Sequence, residues 1–350
     1  MRIATLANAA VVHTWRWVEY FRSRGHEVEV WSLERGPETL RAHSLGVPPL
    51  PGFVRYPLAA PALARALARF DPDLVDAHFV PNYGLLAVLV ARHPLSVAAW
   101  GSDLLLARGA AQRARAGFVL RRADLILADA ENLARAARVL GAPEQRVRCI
   151  PWGIDLERFR PTGARDSGLL LSTRRLEPIY DLKTLLAGVA PVLHRRVGTR
   201  LVIAGEGSQR RALESIAAAT LPADRFQFVG TLDATSLAGW LARADLYLSA
   251  SRSDSTSVSL LEAMASGAVP VVSDLEGNRE WVQEGVGARL FRPGDPASLT
   301  QAVEAALDDP PWAERARAHN RSVAESRADG ARGLARIESL FRSLVAEPRR

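Results

Sequence analysis

The chain has 350 residues, of which 48% are hydrophobic and 24% are charged, and its formal net charge is +7. This length and balance indicate a globular protein of two domains with a sizeable core, and they exclude a disordered or fibrous chain. No segment reaches the roughly 20 apolar residues of a membrane span, and the N-terminus lacks a signal-peptide cleavage pattern, so we expect a cytoplasmic location. A single cysteine, Cys149, excludes an internal disulfide and a cysteine metal cluster.

The basic residues are almost all arginine, since Lys183 is the only lysine. They are scattered along several helices without a nucleic-acid-binding module or an aromatic stacking platform, so no nucleic-acid partner is expected. Residues 108–122 concentrate arginines with few acids, and this pattern predicts a peripheral contact with anionic lipid headgroups on the inner face of a membrane. A compositional bias without function is the alternative.

Short apolar, β-branched segments alternate with amphipathic segments along the whole chain, which is typical of parallel sheets covered by helices on both faces. The first half predicts strands at 2–7, 27–32, 74–78, 96–100, 125–128 and 146–150. The second half predicts strands at 168–173, 200–204, 226–229, 245–249, 269–273 and 287–291. Residues 36–55 are irregular and proline-rich. The fold class is therefore α/β, with two doubly wound, Rossmann-like domains.

A stretch rich in proline, glycine and charge at residues 151–167 predicts the linker between the two domains. We expect an N-terminal domain at 1–155, a C-terminal domain at 156–329, and a last helix within 330–350 that packs back on the first domain. Open sheets of this kind bind ligands beyond the carboxyl ends of their strands, so two facing domains imply one ligand contacted from both sides.

A hydroxyl-rich loop lies between an apolar strand and an Ala/Leu-rich helix in the second half. Asp254, Ser255, Thr256 and Ser257 occupy the loop, and Glu262 lies inside the helix. Unpaired N–H groups and the helix dipole favour phosphate at such a helix start, while carboxylates accept hydrogen bonds from sugar hydroxyls. The pattern predicts an anionic, sugar-bearing ligand. The alternative is a capping Asp254 and a surface Glu262.

The order and spacing of these loops resemble those of the retaining GT-B glycosyltransferases that use nucleotide-diphosphate sugars, the family 4-like or group 1 enzymes. The resemblance covers nearly the whole chain. It rests on Arg24-Gly-His-Glu-Val28, Ile150-Pro-Trp-Gly-Ile-Asp-Leu-Glu-Arg-Phe-Arg-Pro161, Arg175-Leu-Glu-Pro178, Ala204-Gly-Glu-Gly207, Glu262-Ala-Met-Ala-Ser-Gly267 and Gly277-Asn-Arg-Glu-Trp281. It implies GT-B architecture and a transferase that requires no cofactor and no metal ion.

The resemblance also implies roles for individual residues. Arg175 and a lysine five residues later hold the donor diphosphate, Asp254 contacts the donor sugar, and Glu262 binds the ribose. Tyr180 stands in the place of that lysine. A cation aimed at the leaving diphosphate stabilises the charge that develops in the transition state.

Lys183 is a candidate replacement for the missing lysine. Residues 179–189 read as one helix, in which Tyr180 and Lys183 share a face because positions three apart are neighbours. Lys183 then reaches the phosphate while Tyr180 adds a hydroxyl donor. A solvated Lys183 on the outer face is the alternative.

Further contacts follow from the same resemblance. Gly205 and Glu206, in a glycine-rich turn after a strand, line the nucleotide side, and Gly230 faces the base. The turn alone is a weak signal, because Gly-x-Gly turns are common.

The first domain departs more from the family pattern. Trp100 replaces a histidine that contacts the donor sugar in many relatives, and Asp103 follows it. Asn8 stands where a glycine pair is usual. His13 and His78 follow strands and are candidates for the acceptor side of the cleft, although a lone histidine is more often structural.

The main hypothesis is thus a retaining, metal-independent transferase that moves a hexose-type sugar to a cell-envelope polysaccharide, a glycolipid or a secondary metabolite. A nucleotide-sugar epimerase of the same shape is one alternative. A non-catalytic homologue that binds sugar nucleotides is another, suggested by the replacements at Trp100 and Tyr180.

Overall fold

A computed structural model of the chain describes residues 1–163 and 165–346, except for the side chain of residue 53. Residue 164 of the predicted linker and residues 347–350 of the predicted C-terminal segment lie outside the described residues. The chain forms two compact units. Of the described residues, unit 1 comprises Met1–Pro151 and residues 332–346, and unit 2 comprises Trp152–Ala331.

The described part of unit 1 contains a seven-stranded parallel sheet with the order β3-β2-β1-β4-β5-β6-β7. Its strands are β1 Arg2–Leu6, β2 Glu27–Ser32, β3 Ala42–Ser44, β4 Leu74–His78, β5 Leu95–Ala98, β6 Leu125–Ala128 and β7 Val147–Cys149. The six predicted strands are confirmed with small shifts at their ends. The expectation of irregular structure at 36–55 is wrong at β3 and at residues 52–55, which begin the helix Gly52–Phe70. The three residues of β3 have no apolar pattern and form a strand because they pair with the edge of β2.

In unit 2, the described residues form a six-stranded parallel sheet with the order β10-β9-β8-β11-β12-β13. Its strands are β8 Leu169–Ser172, β9 Arg200–Ala204, β10 Phe226–Gly230, β11 Leu246–Ser249, β12 Val269–Ser273 and β13 Arg289–Phe291. All of these strands were predicted. The order reverses between β8 and β11, and such a reversal opens a crevice at the carboxyl ends of the two strands.

Successive residues of each central strand pack on opposite faces of the sheet. In β8, Leu170 belongs to one apolar cluster, while Leu169 and Leu171 belong to the cluster on the other face. All three are fully buried. A strand covered on both faces has no solvent-facing position, which explains why it is apolar without alternation.

Helices cover both sheets. Those of unit 1 are α1 Val12–Ser23, α2 Gly52–Phe70, α3 Leu85–Val90, α4 Ser102–Leu105, α5 Ala110–Leu120 and α6 Glu131–Val139. Those of unit 2 are α7 Leu182–Arg195, α8 Arg210–Thr220, α9 Ala234–Arg243, α10 Val258–Ser266, α11 Glu276–Arg279, α12 Pro296–Leu307 and α13 Pro310–Arg327. Side-chain oxygens accept N–H groups at the N-terminus of several of them, as is usual for Asp and Ser caps. These caps are Asp181, Asp233, Ser257, Asp295 and Asp309.

The last helix, α14 Gly330–Ala346, contacts the first helix of unit 1. Phe341 is fully buried and stacks on Phe21 with ring centroids 5.4 Å apart. Glu338 is also buried and receives hydrogen bonds from Tyr20 and Arg24. The helix is thereby attached to α1 by apolar and charged contacts together.

Candidate functional site

The crevice of unit 2 is bounded by the loops that follow β8 and β11. The loop after β8 covers residues 173–181, and the loop after β11 covers residues 250–257. Parallel strands point their carboxyl ends to one edge, so the topology brings these two loops together. Arg252 donates a backbone hydrogen bond to Ile179 at 2.8 Å and pairs with Asp181, which ties the loops at their ends.

Arg174 and Asp254 join the two loops across the crevice. Nη2 of Arg174 lies 2.6 Å from Oδ2 of Asp254, and Nη1 donates to Ser257 Oγ at 2.6 Å and to Ser259 Oγ at 2.8 Å. The guanidinium lies over the ring of Tyr180, 4.2 Å from its centroid. The Arg174 side chain is only 9% exposed. Sequence reasoning missed Arg174, and the Arg-Arg pair that follows a buried strand was the available signal.

Burial and charge oppose each other in this pair. Burial raises the pKa of Asp254, and the adjacent Arg174 guanidinium limits the rise. Burial also opposes the charge of Arg174, but the carboxylate more than offsets it, so the pKa of Arg174 lies above its usual range. Burial and the partner's charge thus act in opposite directions on both members of the pair.

Arg175 and Lys183 have different surroundings from Arg174. The side chain of Arg175 is 73% exposed and lies 3.6 Å from Glu177. Lys183 is exposed near the start of α7. Tyr180 is half-buried beneath the guanidinium of Arg174. The structure therefore places Tyr180 against Arg174, while the side chains of Arg175 and Lys183 are exposed to solvent.

The predicted single helix over residues 179–189 is wrong. Pro178–Tyr180 forms one 3-10 turn, and α7 begins only at Leu182. Between them, Asp181 adopts a left-handed conformation with φ 45° and accepts the Oγ1 hydrogen of Thr184 at 2.7 Å. This local cap interrupts the helix, so Tyr180 and Lys183 do not share a face of one continuous helix.

The hydroxyl-rich loop leads directly into α10. Ser257 caps the helix by accepting the N–H of Leu260, and Thr256 accepts the indole N–H of Trp281 at 3.1 Å. Ser255 is buried beside them. The first turn of α10 thus presents its N-terminal dipole at the same edge as Asp254, a position that favours anions. Glu262 is 5% exposed, one turn further along α10.

Gly277 packs closely against the backbone of the loop after β11. A Cβ atom at this position would lie 2.2 Å from the carbonyl oxygen of Ser255 and 2.7 Å from that of Asp254. Any larger residue would push the loop away. The close approach is therefore possible only for glycine.

The glycine-rich turn after β9 packs against the backbone next to Arg174. A Cβ at Gly205 would lie 2.5 Å from the carbonyl oxygen of Arg174, and the N–H of Gly205 donates to Gly230 at 2.7 Å. Glu206 pairs with Arg210 at 2.7 Å. The structure thus brings Gly205 and Gly230 together beside the loop after β8.

The predicted residues of unit 1 gather in an aromatic cluster. His13 stacks on Trp100 with centroids 5.6 Å apart, and His78 lies 5.4 Å from the same ring. Trp17 packs edge-on against His78 at 4.9 Å. Oδ2 of Asp76 accepts the indole N–H of Trp17 at 2.9 Å and lies 3.0 Å from Nε2 of His78. Sequence reasoning missed Trp17 and Asp76, although an acid inside the buried strand β4 was a signal.

Two groups of this region have shifted pKa values. Burial, together with the charge of Arg16, lowers the pKa of His13 to about 4. Burial raises the pKa of Asp103 to about 6, against the opposing effect of the N–H groups of Val80 and Trp100, each 3.0 Å from its carboxylate. Asp103 thereby connects the segments that follow β4 and β5. Asn8, in the loop after β1, accepts the N–H of Ala10 at 2.9 Å.

A cavity of about 260 Å³ opens next to Asp103. Its lining includes Phe79, Asn82, Ser102 and Arg115. Phe79 begins one turn of π-helix, Phe79–Gly84, and has a φ of 74°, which is strained for a residue with a side chain. Strained turns and π-helical turns are frequent at functional sites.

Within the described ranges, no group of three or more His, Cys, Asp or Glu side chains is arranged to hold a metal ion. A helix long and apolar enough to cross a bilayer is also absent from the part of the chain that the structure describes.

The chain matches two family models: Glycosyltransferase Family 4 over residues 10–158, and Glycosyl transferases group 1 over residues 168–309. It is 30% identical over 306 residues to a glycogen synthase of Mycobacterium tuberculosis, with 83% of this chain and 70% of that protein covered. The chain belongs to the group 1 glycosyltransferases. Another member, a D-inositol 3-phosphate glycosyltransferase of Catenulispora acidiphila, is 31% identical over 212 residues, which are 55% of this chain and 50% of that protein. The chain thus spans about half the length of that curated relative.

Solved structures show the fold of this family member. A sucrose-phosphate synthase from Thermosynechococcus elongatus has a TM-score of 0.84 at 18% identity, with 99% of both chains covered. Anabaena Alr3699/HepE in complex with UDP and glucose has a TM-score of 0.83 at 18% identity, with 98% of this chain and 100% of that chain covered. Together with the two parallel sheets, these similarities show GT-B architecture.

Proposed function

We propose that the protein transfers a sugar from a nucleoside-diphosphate sugar to an acceptor. The observation that carries this proposal is the arrangement of Asp254 and Glu262 around the first turn of α10, at the point where the sheet order of unit 2 reverses. Membership in the group 1 glycosyltransferases supports it. Two relatives are named for inositol 3-phosphate and for glycogen, and a third is named for the sulfoquinovosyl group that it transfers, so these names narrow neither the acceptor nor the sugar of this chain.

In this proposal unit 2 binds the donor. Glu262 accepts hydrogen bonds from the ribose, and the N–H groups at the start of α10 and the hydroxyls of Ser255 and Thr256 bind the diphosphate. The Ser257 hydroxyl instead accepts hydrogen bonds from Arg174 and from the N–H of Leu260. Asp254 accepts hydrogen bonds from the transferred sugar. Structural neighbours in complex with UDP or UDP-glucose make UDP-glucose the first donor to test.

The chemical step separates sugar from diphosphate. Negative charge grows on the leaving diphosphate, and the helix dipole together with Arg175, with help from Lys183, stabilises it. We propose retention of configuration and no divalent ion. A donor phosphate oxygen then takes the acceptor proton, so no carboxylate or imidazole of the chain is required as the base.

Unit 1 binds the acceptor in this proposal. The cavity beside Asp103 lies at the carboxyl ends of β4 and β5, where open sheets bind ligands, and the half-buried ring of Trp100 suits the C–H groups of a sugar. Four arginines of the segment 108–122 are exposed, namely Arg108, Arg113, Arg121 and Arg122. We propose that this segment contacts anionic lipid headgroups, which would bring the enzyme to a membrane-bound acceptor.

The test is a donor screen followed by a transfer assay. Thermal stabilisation by a nucleoside diphosphate identifies the base, because a ligand that binds only the folded state raises its stability. The matching sugar nucleotide, with EDTA present, should then release free nucleoside diphosphate when an acceptor panel is added. NMR of the product should show the anomeric configuration of the donor.

Two outcomes would contradict this proposal. Isomerised sugar nucleotide in the absence of any acceptor would indicate an epimerase. Donor binding without transfer or hydrolysis over a broad acceptor panel would indicate a binding protein. Glu262→Ala should abolish the thermal shift with an intact fold, and an unchanged shift would remove Glu262 from the site.

A further inference from the structure

Arg174 has a role that the family resemblance does not give it. We propose that Arg174 is the positioning residue of the donor-sugar site, which holds the Asp254 carboxylate in place as a charged acceptor and thereby sets the preference for the sugar, without contributing to the binding of the nucleoside diphosphate. This inference rests on the proposed function, because it assigns Asp254 to the sugar.

Both terminal nitrogens of the Arg174 guanidinium already have acceptors. Nη1 has two hydroxyl acceptors, Ser257 and Ser259, and Nη2 has the carboxylate of Asp254. The ring of Tyr180 covers one face of the guanidinium plane. A guanidinium held by three acceptors and one ring cannot turn to a phosphate without breaking these contacts, so Arg174 acts through Asp254.

The carboxylate of Asp254 is an acceptor that a ligand can reach. Its side chain retains 16% exposure, so a ligand can reach it. Burial favours the neutral acid, which would donate a hydrogen bond, while the Arg174 cation favours the carboxylate, which accepts. A carboxylate with one oxygen held by a fixed guanidinium has a fixed orientation. It therefore distinguishes sugars by the position of the hydroxyl that donates to it.

The next residue, Arg175, has the opposite surroundings. Arg175 is mostly exposed, its nearest carboxylate is the 3.6 Å contact to Glu177, and it is the residue that the resemblance assigns to the diphosphate. The two adjacent arginines thus have different roles. Arg174 orients the sugar acceptor inside the crevice, and Arg175 remains free to move to a charged ligand.

The experiment is calorimetric titration of the whole chain with UDP and with UDP-glucose, or with the base that the donor screen selects. Arg174→Met removes the charge and keeps the length of the side chain. We expect its affinity for the nucleoside diphosphate to stay within about threefold of the unchanged protein, and its affinity for the sugar nucleotide to fall at least about tenfold, since hydrogen bonds to charged groups have about this strength. Arg174→Lys, which keeps a cation, should restore part of the loss.

The matched control is Arg317→Met. Arg317 is also 9% exposed and pairs with Asp245, which is 18% exposed, on a different side of unit 2. Arg317→Met should lower the affinities for the nucleoside diphosphate and the sugar nucleotide by the same factor, or should change neither affinity. A selective loss of sugar-nucleotide affinity in Arg174→Met alone thus separates positioning from general destabilisation.

pH dependence gives a second readout. Without the guanidinium, burial still raises the pKa of Asp254 and the hydrogen bond from Ser251 opposes it less than both groups do together. The sugar-nucleotide affinity of Arg174→Met should therefore fall further as the pH is lowered from 8 to 6, while the affinity of the unchanged protein should not change. The double variant with Asp254→Asn and Arg174→Met should bind the sugar nucleotide no more weakly than the weaker-binding of the two single variants does. The reason is that both substitutions remove the same interaction. If Arg174→Met does not fold, Asp254→Asn and Arg174→Lys provide the same comparison.

The inference is overturned if Arg174→Met binds UDP-glucose with the affinity of the unchanged protein. It is also overturned if its affinities for UDP and for UDP-glucose fall by the same factor. A wrong proposed function would give a different result from a wrong role of Arg174. In that case the unchanged protein binds no nucleoside diphosphate at all.

Discussion

The Nε2 atom of His26 lies 3.0 Å from the Glu338 carboxylate, although 312 positions of the chain separate the two residues. The same carboxylate accepts the hydroxyl of Tyr20 at 3.2 Å, Nε of Arg24 at 3.3 Å and Nη2 of Arg342 at 2.6 Å. One buried acid thus links α14 to α1 and to the turn before β2. This contact is expected to control the attachment of the last helix to unit 1.

The first prediction concerns the stability of that attachment. Burial alone would raise the pKa of Glu338, but its donors, Arg342 first and then His26, Tyr20 and Arg24, lower it to about 2. A carboxyl group whose pKa is lower in the folded state stabilises the fold fully above its unfolded value of 4.5, and this contribution is lost as the pH falls toward 2. Glu338→Gln should lower the free energy of unfolding of unit 1 by roughly 2 kcal/mol at pH 7.

The measurement is urea unfolding of the full chain at pH 7 and pH 3, followed by a probe in unit 1. The difference between Glu338→Gln and the unchanged protein should shrink at pH 3. Glu325→Gln is the control, because Glu325 forms an exposed pair with Arg321 and its loss should cost at most about 0.5 kcal/mol. An equal difference at both pH values would contradict the assigned pKa.

The second prediction concerns Gly277. Gly277→Ala places a methyl group against the carbonyl oxygens of Ser255 and Asp254, and overpacking of this kind costs about 1–3 kcal/mol. We expect donor affinity to fall about tenfold as the loop shifts, measured by titration with the donor nucleotide. Gly239→Ala is the matched control, since a Cβ in α9 at Gly239 has no atom within 4 Å. Unchanged donor affinity in Gly277→Ala would show that the loop is not part of the site.

The third prediction separates the two exposed cations. Arg175→Met should lower kcat by about 100-fold if Arg175 stabilises the leaving diphosphate, which is the magnitude of losing one donor to a developing charge. Lys183→Met should lower kcat by only about threefold, because a solvated amine beyond the Asp181 cap is screened by water. Steady-state rates of nucleoside-diphosphate release decide this. A larger effect from Lys183→Met than from Arg175→Met would reverse the assignment.

The fourth prediction concerns His13. Its imidazole should titrate near pH 4, well below the usual value of 6.5, because burial against Trp100 disfavours the charged form. Trp100→Ala admits water and should raise the pKa of His13. NMR of the imidazole C–H signals, assigned with His13→Gln, gives both values. Trp240→Ala, which removes an indole from α9 in unit 2, should leave the His13 titration unchanged.

The sequence by itself determined the fold class and nearly all of the strands. Strands such as β8 and β12 are buried on both faces, so their residues must be apolar, and this requirement is visible without a structure. The residues around α10 were also visible, because a strand, a short hydroxyl-rich loop and a helix follow one another in the chain. Strand β3 was not visible in the sequence, because it is a strand through its pairing with β2 and its own composition does not predict one.

The tertiary structure decided which charged residues lie in the crevice. In the pair Arg174-Arg175 the first side chain is buried and the second is exposed, although the two residues are adjacent. Sequence patterns do not carry that choice, because it depends on the Asp254 carboxylate, 80 positions away, that compensates the buried charge. The left-handed Asp181 likewise ends the predicted helix early, because its carboxylate caps α7 and also pairs with Arg252 of the other loop.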